Sequence, residues 1–155
     1  MICHLTTNKD IWHLALQILT RRSHSEYELR QKLYQKSYAG TEVDQVVNRL
    51  LTYGYLNDTA FATALFSKYL GMGKYSLNNI ICKLKKCGLP EVIIKTVIRE
   101  YDGEEEFKAA LKVLGSRFKS LDGLNKEKLY RFLGTRGFSS NTIHRVLDQL
   151  TNHDF

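Results

Sequence analysis

An apolar repeat of about 50 residues, present three times, constrains the fold of this 155-residue chain more than any other feature. When Leu33, Leu84 and Leu133 are placed in register, seven positions of each unit hold an apolar residue or a tyrosine. The chain is 43% hydrophobic, so chance would fill only about nine of these 21 positions. The repeated residues are Leu29, Leu33, Tyr38, Val43, Val46, Val47 and Leu50, then Ile80, Leu84, Leu89, Ile94, Val97, Ile98 and Tyr101, then Leu129, Leu133, Phe138, Ile143, Val146, Leu147 and Leu150.

Apolar residues recur every three or four positions within each unit, which is the pattern of helices that bury one face. No run alternates polar and apolar residues as a half-buried strand would, so the sequence predicts an all-α protein. Ser25, Ser76 and Asn125 are predicted N-caps, and Pro90 is predicted at the first position of a helix. The predicted helices cover residues 10–22, 25–36, 41–53, 58–70, 76–87, 90–101, 104–120, 125–135 and 139–150.

These helices group into three tandem three-helix repeats. Their predicted bounds are 10–54, 55–102 and 103–151, with an N-terminal segment (1–9) and a C-terminal tail (152–155). A unit of about 50 residues has a small core of its own, so each repeat is expected to pack against its neighbour for stability. The predicted shape is an elongated, curved row of repeats.

The sequence carries no signal for an enzyme, a membrane protein or a metal protein. No segment approaches the roughly 20 apolar residues of a membrane span, and the N-terminus does not resemble a signal peptide. The three cysteines lack zinc-site spacing, so reduced thiols in the cytoplasm are expected. The five histidines are scattered, and the run Glu104–Glu106 opens a predicted helix, where negative charge is stabilising. We therefore expect no catalytic residue, no metal site and no cofactor.

An excess of 23 basic over 16 acidic residues gives a net charge of +7 and points to a polyanionic or acidic partner. The candidate partner-binding residues are Arg21, Arg22, Arg30, Lys32, Lys36, Lys83, Lys85, Lys86, Lys95 and Arg99. On stacked repeats these cations are expected to form a basic strip with tyrosines between them. The alternative is solvated helix faces and cations at helix C-termini, which explains Arg21, Arg22 and Lys36 without a partner.

Three groups of residues resemble a known family. They are the segment 21–33, which reads RRSHSEYELRQKL, the segment Gly54-Tyr55-Leu56-Asn57-Asp58 with Phe61-Ala62, and the segment Arg136-Gly137-Phe138-Ser139. Together they resemble the RecX family of bacterial regulators over roughly residues 10–150. The resemblance implies tandem three-helix repeats that bind the recombinase RecA, and a monomer is the default expectation.

The resemblance also implies what that binding does. The protein would lodge in the helical groove of a filament of RecA on single-stranded DNA. There it would inhibit ATP hydrolysis, strand exchange and RecA-assisted repressor cleavage, and so regulate homologous recombination, DNA repair and the SOS response. Single- or double-stranded DNA is an additional expected contact.

The chain departs from the family pattern at three places, and two other functions stay open. Lys36-Ser37 stands where the family usually has Lys-Gly, and Asn57-Asp58 stands where it usually has an acidic pair. The segment around Gly73-Lys74-Tyr75-Ser76 matches the family only loosely. A direct DNA-binding protein is the first alternative, with the helix at 139–150 entering the major groove in the manner of a helix-turn-helix. A structural adaptor without a nucleic-acid role is the second.

Overall fold

The computed structural model of the protein describes residues 7–118 and 125–152. These residues form nine α-helices and no strand. The helices are α1 (Thr7–Arg21), α2 (Glu26–Tyr34), α3 (Gly40–Thr52), α4 (Asp58–Gly71), α5 (Leu77–Lys86), α6 (Glu91–Ile98), α7 (Glu104–Arg117), α8 (Lys126–Gly134) and α9 (Ser140–Asn152). They follow one another in three triads, α1–α3, α4–α6 and α7–α9, as the repeat predicts. None of these helices is both long and apolar enough to cross a membrane.

The predicted caps are confirmed, and two predicted boundaries are wrong. Ser25, Ser76 and Asn125 are N-caps whose side chains accept from N–H groups of the following first turn. Pro90 is itself the N-cap of α6 rather than its first helical residue, because its ψ of 145° is extended. Helix α7 ends at Arg117, since Phe118 is extended (φ −117°, ψ 121°), and the predicted residues 119 and 120 lie outside the described residues.

The repeated apolar positions form the interior of each triad. All 21 lie in the described part of the chain; 16 are buried and the other five are partly buried against the same cores. Each triad has its own cluster, centred on Leu33 in the first, Leu84 in the second and Leu133 in the third. Full burial of such a side chain contributes about 2 kcal/mol, so the repeat spacing accounts for the fold of each triad.

Polar contacts at the N-terminus of α2 join the first triad to the second. The Ser25 hydroxyl accepts from the N–H of Glu28 at 3.1 Å and donates to the carbonyl oxygen of Cys87, at the end of α5. The N–H of Glu26 donates to Oδ1 of Asp58, the first residue of α4, at 2.8 Å. Asp58 of the second triad therefore satisfies an N–H group at the start of α2, while the Cys87 carbonyl oxygen holds the Ser25 hydroxyl that caps another.

The second and third triads repeat this arrangement at the N-terminus of α5. The Ser76 hydroxyl accepts from the N–H of Asn79 at 3.2 Å and donates to the carbonyl oxygen of Arg136, at the end of α8, at 2.9 Å. The N–H of Leu77 donates to Oε1 of Glu106, in the first turn of α7, at 2.9 Å. The serine and the carbonyl occupy the same repeat positions as in the first junction.

A glycine with positive φ lies at each junction. Gly88 (φ +73°) packs so closely on α2 that a β-carbon there would lie 2.2 Å from Cγ of Tyr27. At Gly137 (φ +78°) a β-carbon would lie 3.1 Å from the Ser76 hydroxyl oxygen. The equivalent residue of the first triad is Ser37 (φ +64°), against which no earlier triad packs in the described chain. Serine there carries only the cost of the left-handed conformation, about 1 kcal/mol, which explains this departure from the family pattern.

The Gly88→Ala substitution is expected to lower the free energy of unfolding by about 3 kcal/mol or more, because it adds backbone strain and a clash with Tyr27. Gly54→Ala is the matched control, since Gly54 also has positive φ (+74°) but nothing lies near its β-carbon position. It should cost only about 1–2 kcal/mol. Urea unfolding of both variants measures the difference, and equal costs would contradict the packing role of Gly88.

Candidate functional site

Three of the predicted partner-binding residues form ion pairs inside the protein. Arg22 donates to both carboxylate oxygens of Glu28, at 3.0 and 3.2 Å. Lys95 lies 3.0 Å from Glu91 on the exposed face of α6. These two cations match the alternative interpretation, in which charges support their own helices.

Arg30 is the third of these cations, and it is half-buried between two carboxylates. Its guanidinium donates to Glu26 at 2.8 Å and also to Asp44. Burial lowers the pKa of Arg30, but the hydrogen bonds to these carboxylates more than offset it and raise the pKa further above its ordinary range. Arg30 therefore links α2 to α3 and is not free for a partner.

Six predicted cations remain exposed. None of these six side chains forms a salt bridge with another residue of the described chain, and they make no hydrogen bond or ring contact with one another in that part of the chain. They are Arg21, Lys32, Lys36, Lys85, Lys86 and Arg99. Lys85 faces the start of α6: the pKa of Glu91 is lowered by its hydrogen bond and charge contact with Lys95, and the charge of Lys85 adds to this.

Lys83 does not simply point into solvent, as the helix pattern predicts, but lies half-buried over two tyrosine rings. Its Nζ is 4.7 Å from the ring centroid of Tyr75 and 5.2 Å from that of Tyr69. Lys74 Nζ lies 5.2 Å from the same Tyr75 ring. Lys112, on α7, places its Nζ 3.6 Å from the β-carbon position of the neighbouring Gly73. We call Lys74, Lys83 and Lys112, with Tyr69 and Tyr75, the lysine cluster.

Of these three cations, Lys83 belongs to the predicted partner-binding residues. Lys74 carries a local signal, because it follows the glycines of the joint between α4 and α5. Lys112 has no such signal in the sequence, because it belongs to the third triad and lies near Gly73 only through the packing of the triads.

A second group of aromatic residues is exposed on the first triad. The rings of Trp12, Tyr53 and Tyr55 meet edge to face, with centroids 6.2–6.5 Å apart. The Arg49 guanidinium lies 4.3 Å from the centre of the Trp12 ring. Tyr53 and Tyr55 are 60% and 58% exposed, which is unusual for rings of this size. Arginine held among exposed aromatic rings is a composition typical of binding surfaces.

A cleft of about 440 Å³ lies between the first and second triads. The paired side chains of Arg22 and Glu28 line it together with Lys68, beside the apolar surfaces of Phe61, Leu65 and Tyr69. Tyr69 is thus common to the cleft and the lysine cluster, while the strip of ten cations predicted from the sequence stays a prediction.

The buried titratable groups serve the fold. Glu106 is 4% exposed, and besides the Leu77 N–H it accepts from the hydroxyls of Ser139 at 3.1 Å and Thr142 at 2.6 Å. Burial lowers the pKa of His24, whose Nδ1 lies 2.8 Å from the carbonyl oxygen of Arg22. In the described chain no three His, Cys, Asp or Glu side chains come together as metal ligands.

The helix-turn-helix alternative depends on α9, whose basic residue is Arg145. That side chain donates to Glu104 at 2.8 Å and lies 4.4 Å from the centre of the Phe107 ring. Both contacts hold Arg145 against α7, so α9 does not present a free cation to a DNA groove.

The fold defines an all-α protein of three-helix repeats, and its relatives show the family to which it belongs. Residues 12–50 match the first three-helix domain of RecX, and residues 104–147 match the third. The chain is 31% identical over 148 residues to the regulatory protein RecX of Chlorobium phaeobacteroides, covering 94% of this chain and 96% of that protein. It is 34% identical over 134 residues to that of Pelodictyon phaeoclathratiforme, covering 86% and 84%.

The solved structure of RecX from Lactobacillus salivarius has the same fold. It superposes with a TM-score of 0.81 at 18% identity, over 93% of this chain and 96% of the other. The chain belongs to the RecX family, whose named members are regulatory proteins.

The Glu28→Gln substitution is expected to make the free energy of unfolding less dependent on pH in the acidic range. Burial raises the pKa of Glu28, but the hydrogen bonds from Arg22, the charge of Arg22 and the Ser25 N–H outweigh it, so the pKa falls below its ordinary value of 4.5. The folded state therefore favours the carboxylate, which stabilises the protein above pH 4.5, and this contribution is lost as the pH falls through the lowered pKa.

Urea unfolding between neutral and acidic pH measures this effect. At neutral pH the free energy of unfolding of the wild type should exceed that of Glu28→Gln by about 1 kcal/mol. The difference is this small because Arg22 is exposed, so solvent weakens the ion pair, and it should disappear at acidic pH. Glu100→Gln, at an exposed residue with no salt bridge to a described residue, is the control. A gap that does not change with pH would contradict the role of the Arg22–Glu28 pair.

Proposed function

We propose that this protein binds the recombinase RecA on single-stranded DNA and inhibits the filament by occupying its helical groove. It would reduce ATP hydrolysis, strand exchange and RecA-assisted repressor cleavage, and so regulate homologous recombination, DNA repair and the SOS response in the cytoplasm. The protein acts by stoichiometric binding and performs no chemistry of its own.

The observation that carries this proposal is the match to regulatory RecX proteins along nearly the whole chain. The order of the triads supports it physically, because a row of similar units can contact successive protomers of a filament. The net charge of +7 and the exposed cations of α2 and α5 support it as well, since a DNA filament presents phosphate and acidic side chains.

The first test is ATP hydrolysis by the cognate RecA on single-stranded DNA with this protein titrated in. Groove occupancy predicts that the hydrolysis rate falls as the protein approaches an equal concentration with RecA. A fall of the hydrolysis rate at much lower protein concentrations would contradict groove occupancy and indicate capping of filament ends. A flat curve with folded protein, checked by circular dichroism, would refute inhibition of RecA.

The combined variant Lys83→Glu, Lys85→Glu and Lys86→Glu is expected to weaken this inhibition at least fivefold while helicity stays intact, because it reverses charge on one face and flank of α5. The matched control is Lys126→Glu, Lys128→Glu and Arg131→Glu, which makes the same change of charge on exposed residues of α8. Equal inhibition by both variants would mean that α5 does not contact the filament.

A further inference from the structure

The lysine cluster holds three positive charges at the joint between the second and third triads without an opposing carboxylate. Lys74 and Lys83 share the Tyr75 ring, and Lys112 lies beside the adjacent Gly73. None of the three forms a salt bridge with a residue of the described chain. The cluster therefore has no paired counter-charge in the described chain, and an anionic ligand can supply one.

The two tyrosines hold this arrangement in place. Their rings meet edge to face, with centroids 5.4 Å apart and planes at 87°. Lys83 contacts both rings, so its ammonium group is attracted by two ring faces at once. The cations are therefore partly ordered before any ligand arrives, which lowers the entropy cost of binding.

We infer that the lysine cluster binds the sugar–phosphate backbone of single-stranded DNA, and that Tyr75 is a positioning residue that holds Lys74 and Lys83 for the contact. The inference deepens the proposed function and rests on it, since a RecA filament carries such a strand. It concerns the bare strand as well, so it can be tested without the recombinase.

The chemistry of the cluster favours nucleic acid over an acidic protein. Ammonium groups are compact charges with three donors each, suited to phosphate oxygens that approach from several directions. Lysine is depleted at interfaces between proteins, where arginine and aromatic residues are enriched.

The neighbouring cleft favours a single strand over a duplex. Phe61, Leu65 and Tyr69 line the cleft, and Tyr69 also belongs to the cluster. An unpaired base next to a bound phosphate can therefore reach an apolar and aromatic surface, whereas the bases of a duplex remain stacked on one another.

The test is fluorescence anisotropy of a labelled oligothymidylate titrated with the full-length protein over a series of salt concentrations. Each phosphate contact to a single strand adds about −0.7 to the slope of log affinity against log salt. The variant Lys74→Gln, Lys83→Gln and Lys112→Gln is expected to bind at least tenfold more weakly and to lose about 2 units of slope. Tyr75→Leu should bind about threefold more weakly and keep the wild-type slope, because it disorders the cations without removing them.

The control variant is Lys126→Gln, Lys128→Gln and Arg131→Gln, which removes the same charge from exposed residues of α8 and should change the affinity less than threefold. Circular dichroism checks folding. Should the Lys83 substitution unfold the protein, the double variant Lys74→Gln and Lys112→Gln keeps Lys83 on its rings and should still lose about 1.4 units of slope.

Four results would overturn the inference: no binding of the oligothymidylate by wild type, equal loss in the cluster and control variants, a slope that falls in Tyr75→Leu, or equally tight binding of a duplex. If the cluster variant binds the oligothymidylate normally but no longer slows the RecA ATPase, the cluster contacts the protein of the filament instead. A failure of the proposed function is separate, since it shows as a flat ATPase curve for wild type.

Discussion

The architecture depends on a requirement of helix ends. The first N–H groups of a helix have no partner within it, and at α2 and α5 the next triad supplies some of the missing groups. Ser25 and Ser76 each accept a hydrogen bond from their own helix and donate one to a carbonyl oxygen of the next triad. Asp58 and Glu106 accept hydrogen bonds from the N–H groups of the residues that follow these serines. Each triad keeps its own apolar core, so directional polar bonds set how one triad is placed on the next.

Repeated local patterns in the sequence predicted most of the fold. The apolar spacing predicted the helices and their buried positions, and the residue types that precede each helix predicted the N-caps. The junctions could not be predicted, because their bonds join residues 29 to 62 positions apart, such as Ser76 and Arg136. Glu106 shows the same limit: an acidic residue in a first turn suggests an exposed charge near a helix dipole, yet this one is buried by groups from α5 and α9.

The candidate surface could be predicted only in part. Composition indicated a basic face, but it could not show that Arg22, Arg30 and Lys95 are engaged by carboxylates of their own triads. Lys112 joins Lys74 and Lys83 only through packing between triads. Helical periodicity assigns Lys83 to the outer face of α5, but it does not show that the rings of Tyr69 and Tyr75 lie there to receive it.

The two glycines at the junctions have a mechanical consequence. At the first junction Gly88 lets Tyr27 lie against the backbone beside the Ser25 bond, so a directional bond and a close steric contact act at the same place. At the second junction Gly137 lies beside the Ser76 hydroxyl, next to its bond to the Arg136 carbonyl. A side chain at either glycine would displace the group that lies against it, so the placement of one triad on the next depends on these two backbone positions.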